Sequence, residues 1–103
     1  LNIETIVIDV SGVPDSYMVE GYISLRELQE GDTVRIREYI AVDGVTFDLF
    51  SDVELSGPQA EPVIRLHTKT LLKDMRYRVT ITQTTGIPRS FPYGFIVEIL
   101  GVV

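Results

Sequence analysis

Apolar and polar positions alternate along this chain in short runs broken by turn residues. In YRVTITQT, Tyr77, Val79 and Ile81 fall on one side and Arg78, Thr80 and Thr82 on the other. In VEGYISL, Val19, Ile23 and Leu25 share a side, and Gly21 leaves room for a close neighbour. In PVIRLHTK, Ile64 and Leu66 point inward while Arg65 and His67 point out. A period of two marks a strand with one buried face. Turn signals (SGVPDS, QEGD, DG, SGPQAEP, LKD, TGIPRSFP) recur about every 8–12 residues, the rhythm of an all-β sandwich or barrel. The pattern predicts seven strands, near 2–10, 18–25, 33–42, 45–55, 63–69, 76–84 and 93–102.

Asp43-Gly44 predicts a hairpin with a two-residue loop, since both positions tolerate positive φ. Counting outward sets Val42 against Val45, Ile40 against Phe47 and Val34 against Val53 on an apolar face. The other face then pairs Tyr39 with Asp48, Arg37 with Phe50 and Arg35 with Asp52. Glu38 falls on the apolar side, opposite Leu49. A buried carboxylate needs a partner, so the expectation is a β-bulge that turns Glu38 outward, or a place at the sheet margin, in preference to an active-site acid.

Seven strands, with TLLKDMRY before the sixth, resemble immunoglobulin-like and fibronectin type III domains. The resemblance implies an immunoglobulin-like antiparallel β-sandwich, one domain over 1–103. It also implies a tyrosine corner, in which Leu71 or Leu72 precedes the turn and the Tyr77 hydroxyl bonds to upstream backbone. The paired cysteines and buried tryptophan of antibody domains are absent.

The terminal strands break the alternation. In LNIETIVIDV, Ile6, Ile8 and Val10 form one apolar face, and Leu1, Ile3 and Val7 part of a second. In YGFIVEILGVV, Tyr93, Phe95, Val97 and Ile99 lie on one side and Ile96, Leu100 and Val102 on the other. In immunoglobulin-like folds the first and last strands are often neighbours at a sheet margin. Apolar residues on the outside of both invite cover from the same chain, from an oligomer seam, or from a first strand exchanged between copies. The last case makes 1–10 a donor strand, in logic similar to filament subunits of the pilus type, and a head-to-tail contact of that kind does not close.

Composition narrows the function. The chain has 103 residues, 45% of them hydrophobic, as a folded domain requires. Its net charge of -6, with nine basic residues among fifteen acidic, disfavours nucleic acid, and no apolar run is long enough for membrane insertion. There is no cysteine, and the only histidine, His67, lies between cations on a solvent face without an orienting carboxylate. No cluster has zinc-ligand or EF-hand spacing, so neither a metal nor a cofactor is expected, and the chain does not read as an enzyme. A first residue other than Met suggests a removed leader or a cut, and the single asparagine with Arg above Lys hints at a hot environment.

Two surfaces remain. The first is an assembly interface of Leu1, Ile3, Ile6, Val7, Ile8, Val10, Phe95, Ile96, Val97, Leu100 and Val102. It leads to a self-assembling structural subunit of an extracellular filament or virion surface. The second is a partner-binding face of Arg35, Arg37, Tyr39, Phe50, Arg76 and Arg78, with Arg89 and Phe91 in the loop GIPRSFPY. Guanidinium and aromatic groups are enriched at interfaces, so this face leads to a monomeric module for glycan or protein. On the plainer reading that face is laced by ion pairs, and Phe91 caps the core.

Overall fold

A computed structural model describes residues 1–101 as seven strands: β1 (Thr5–Val10), β2 (Tyr17–Ser24), β3 (Thr33–Ala41), β4 (Asp48–Ser56), β5 (Val63–Leu71), β6 (Arg76–Thr85) and β7 (Tyr93–Ile99). They form two antiparallel sheets, ordered β1-β6-β3-β4 and β5-β2-β7. The sheets share one core. Val34, Ile36, Tyr77 and Val79 enter it from the first, and Tyr17, Val19, Ile23, Leu66 and Leu71 from the second. SLRELQEG makes turns, with Leu28 N–H bonded to Leu25 O at 3.0 Å, which bury Leu25 and Leu28.

The first and last strands are not neighbours in one sheet. β1 pairs with β6, and β7 pairs with β2. In the constant-type immunoglobulin order the first strand lies beside the second and the last beside the sixth, so the expected immunoglobulin-like order is not met at either terminal strand. The connection TGIPRSFP accounts for the place of β7. It is too long, and too short of donors at Pro88 and Pro92, to close a tight hairpin. It crosses between the sheets, and Pro92 O accepts from Ser24 N–H at 2.8 Å.

The predicted β3–β4 register is displaced by two residues along most of the ladder. Arg37 pairs with Asp52, Ile36 with Val53 and Val34 with Leu55. The loop is longer than two residues because Asp43 Oδ1 accepts from both Val45 and Thr46 N–H at 2.8 Å, tying the backbone into an Asx turn. From Thr33 to Glu38 the displacement of two keeps each side chain on its face, but beyond the bulge it is one, so Phe47 lies on the arginine side instead of the apolar face, and Val42 and Val45 are exposed. The expected bulge exists, but its extra residue is Phe50 in β4. β3 runs regularly against β6 through Ile36–Ile81, Glu38–Val79 and Ile40–Tyr77, so Glu38 stays inside and is 5% exposed.

Glu38 has partners that the sequence did not announce. Lys69 Nζ lies 2.8 Å from its Oε1, with both side chains about nine-tenths buried, and Tyr77 Oη donates to the same oxygen at 2.7 Å. Plain alternation would put Lys69 outside. A bulge in β5 at His67 and Thr68 sets Leu66 against Gly21 and Lys69 against Val19, so both point inward. The ammonium also lies 5.5 Å from the Tyr77 ring centre and 5.6 Å from that of Phe50. The expected tyrosine corner is therefore not made by Tyr77. A related tie is made by Tyr17, whose hydroxyl donates to Met75 O at 2.8 Å. Leu71 is buried before the turn and Leu72 is exposed.

Candidate functional site

The two-faced look of the first strand has a local cause. Pairing runs Thr5–Ile81 and Ile6–Thr80, then Ile8–Val79, so Val7 is an extra residue in β1. The bulge resets the alternation, and Val7 and Ile8 both pack on the core ahead of buried Val10. Three of the expected interface residues thus belong to the chain's own interior. Leu1, Ile3 and Ile6 do not, and Ile3 is 75% exposed.

β7 shows a second cause. Its pairing with β2 sets Tyr93 against Ile23, Phe95 against Gly21, Val97 against Val19 and Ile99 against Tyr17. Directly opposed residues share a face, and Tyr17, Val19 and Ile23 are fully buried. The β7 row therefore looks into the space between the sheets. Only Phe95 fills it, seated on Gly21, where any Cβ would overlap its ring. Tyr93 and Ile99 are more than half exposed and Val97 is 38% exposed, so no described residue fully covers them. On the reverse, Ile96 opposes Glu20 and is 63% exposed. Leu100 is half-buried and its N–H bonds to Ser16 O, while Val102 lies outside the described residues.

β1 and β7 are edge strands on the same side of the molecule. A groove of about 470 Å³ runs between them, walled by Leu1, Ile3, Ile6 and Val7 on one side and Phe91 and Tyr93 on the other. Each edge strand carries an unpaired row of backbone groups beside exposed apolar side chains, the arrangement that recruits another strand.

The arginine face is organised differently. Glu4 sits at its centre, accepting from Thr80 Oγ1 at 2.6 Å and from the Tyr39 hydroxyl, with Arg37 3.7 Å away. These bonds, Thr80 first, hold its carboxyl below the usual value, while burial and then Glu4 raise Tyr39. Arg35 binds Asp52 at 2.8 Å and Arg37 binds it at 3.5 Å. Arg76 and Arg78 both bind Asp9, and their guanidinium groups stack on Phe47 at 4.7 and 4.1 Å. The aromatic partner is thus Phe47. Phe50 is drawn to the inter-sheet edge beside Lys69. Arg89 is tied 2.7 Å from buried Asp32, and Phe91 packs against the core. These guanidinium groups are committed to carboxylates of the same chain. A recess of about 320 Å³ remains among Glu4, Ile6, Tyr39, Phe47, Arg78 and Thr80.

His67 is exposed on β5, and among the described residues no three His, Cys, Asp or Glu are grouped to hold a metal ion. No helix of the described residues is long and apolar enough to cross a membrane. No protein-family model matches the chain, and no curated protein or solved structure is significantly similar to it. What the fold and its surfaces define is a two-sheet antiparallel β protein with an open, apolar terminal-strand edge.

Proposed function

We propose that the chain is a structural subunit that self-assembles through its terminal strands into an extracellular filament or a virion surface structure. On this reading its fold is an immunoglobulin-like plan whose first and last strands take different neighbours. One observation carries the proposal. Tyr93 of β7 stands across a groove from exposed Leu1, Ile3 and Ile6, and Val97 and Ile99, on the same core-side row of β7, are uncovered as well. Full burial of an aliphatic side chain of this size contributes about 1.5–3 kcal/mol, so covering several of them offsets much of the cost of association. Within one copy β1 is already paired with β6. The contact is therefore addition of a strand at the open edge, without exchange of residues 1–10.

The test is a pair of charge substitutions, Ile3→Glu and Ile96→Glu, at exposed positions where folding tolerates them. Unchanged circular dichroism with loss of large species in light scattering supports the assignment, and large species that persist in both variants refute it.

A second reading, a binding module for a glycan, rests on the recess beside Tyr39 and Glu4. There, loss of glycan-array retention in a folded Tyr39→Ala variant of a monomeric protein is the deciding outcome.

A further inference from the structure

The opposite edge of the molecule is open as well. β4 closes one sheet and β5 the other. A slot of about 200 Å³ opens between them, with Val53 and Leu55 on one lip and Ile64 and Leu66 on the other. Val53 pairs with core residue Ile36 and faces inward, yet it is 46% exposed, and Leu49, Phe50 and Val63 nearby are exposed too. Each chain thus has two uncovered apolar edges on opposite sides, β1 with β7 and β4 with β5.

We infer that the β4 edge is the acceptor for the β1 edge of a second copy, so that subunits join side by side and the four-stranded sheet continues from one to the next. This rests on the proposed self-assembly and names its partner surface. Two observations select this occupant. First, a dyad contact of β1–β7 with itself leaves the β4–β5 edge of every copy exposed, whereas a head-to-tail contact engages both edges. Second, strand direction fits in the four-stranded sheet. β1 runs parallel to β3 and therefore antiparallel to β4, so the junction β4–β1 of the next copy continues the antiparallel alternation. In the three-stranded sheet β5 and β7 are both antiparallel to β2 and so parallel to each other, and the alternation does not carry across. The carboxylates Glu4, Asp9 and Asp52 that flank these edges are paired with arginines of their own chain, which limits repulsion between copies.

The pairings Thr5–Ile81, Ile81–Ile36 and Ile36–Val53 put Thr5 and Val53 at one level on opposite edges of the same sheet. Within one chain they are three strand spacings apart, about 14 Å. Across the proposed junction they are adjacent. The chain has no cysteine, so Thr5→Cys and Val53→Cys variants treated with a bis-maleimide shorter than that span report the junction directly. The inference predicts covalent dimers from a mixture of the two single variants, none from either alone, and a ladder of multimers from the double variant. Dimers from Thr5→Cys alone overturn it in favour of a dyad contact and leave terminal-strand assembly standing. Uncross-linked monomer in every sample, with untreated protein also monomeric by light scattering, overturns both.

Discussion

Replacing Lys69 with alanine isolates the most consequential polar contact in the core. The Lys69 ammonium lies 2.8 Å from Glu38 Oε1, and 10% and 7% of the two side chains are exposed. Removal of the amine leaves the carboxylate with the Tyr77 hydroxyl, 2.7 Å away. Breaking a buried pair from one side costs about 3–5 kcal/mol, because the surviving charge is left without compensation. A domain of this size has about 5–15 kcal/mol in total, so Lys69→Ala removes a large fraction of its stability. Urea unfolding followed by circular dichroism reads this as a lower midpoint with an unchanged slope. Glu38→Leu combined with Lys69→Met and Tyr77→Phe discards both charges together with the hydroxyl that donates to Glu38. That triple variant recovers most of the loss, since buried pairs are often replaced by apolar residues without penalty. A cost below about 1 kcal/mol for Lys69→Ala, the value of an exposed ion pair, refutes a buried, desolvated Glu38–Lys69 contact.

Two further predictions concern the rest of the scaffold. Gly86 has φ +92° and a Cβ there would collide with Asp32, so Gly86→Ala costs at least about 1–3 kcal/mol in the same unfolding assay and frees Arg89 from its carboxylate. Glu4, Asp32 and Asp52 have carboxyls held below the ordinary values of 4.5 and 3.8, chiefly by Thr80, Arg89 and Arg35 respectively. Their contribution is complete above those values and is lost as pH falls through the lower folded-state values. Tyr77 is shifted the other way, above its ordinary 10.0, by burial first and then by Glu38, so stability also declines as pH rises beyond 10. Urea midpoints against pH are therefore flat near neutrality and fall at both ends. A midpoint that holds steady into strong acid contradicts the carboxylate pairings.

The sequence made all seven strands legible, because each has an alternating or apolar run between Gly- and Pro-bearing turns. Val34, Ile36, Tyr77 and Val79 are buried as the alternation requires. What the alternation could not convey was where it is reset. Single extra residues at Val7 and Phe50, and a bulge at His67–Thr68, each shift which side chains face inward. Val7 and Ile8 thereby both reach the core, and Lys69 becomes the partner of Glu38. A carboxylate on an apolar face demands a cation, but alternation puts Lys69, three residues after inward-facing Leu66, on the outside, so the bulge in β5 conceals the pair. Strand order was not legible, because it depends on which connections cross between the sheets. Residue types along the chain point to the arginine face, but its neutralisation by Glu4, Asp9 and Asp52 depends on side-chain positions that only the folded sheet creates.

The most direct measurement of the central claim is the molar mass of the unsubstituted protein across a concentration series, by light scattering with electron microscopy of the same samples. The account predicts masses that grow with concentration toward elongated particles in which subunits repeat side by side. A single-chain mass at every concentration, with no ordered particles in the images, contradicts it.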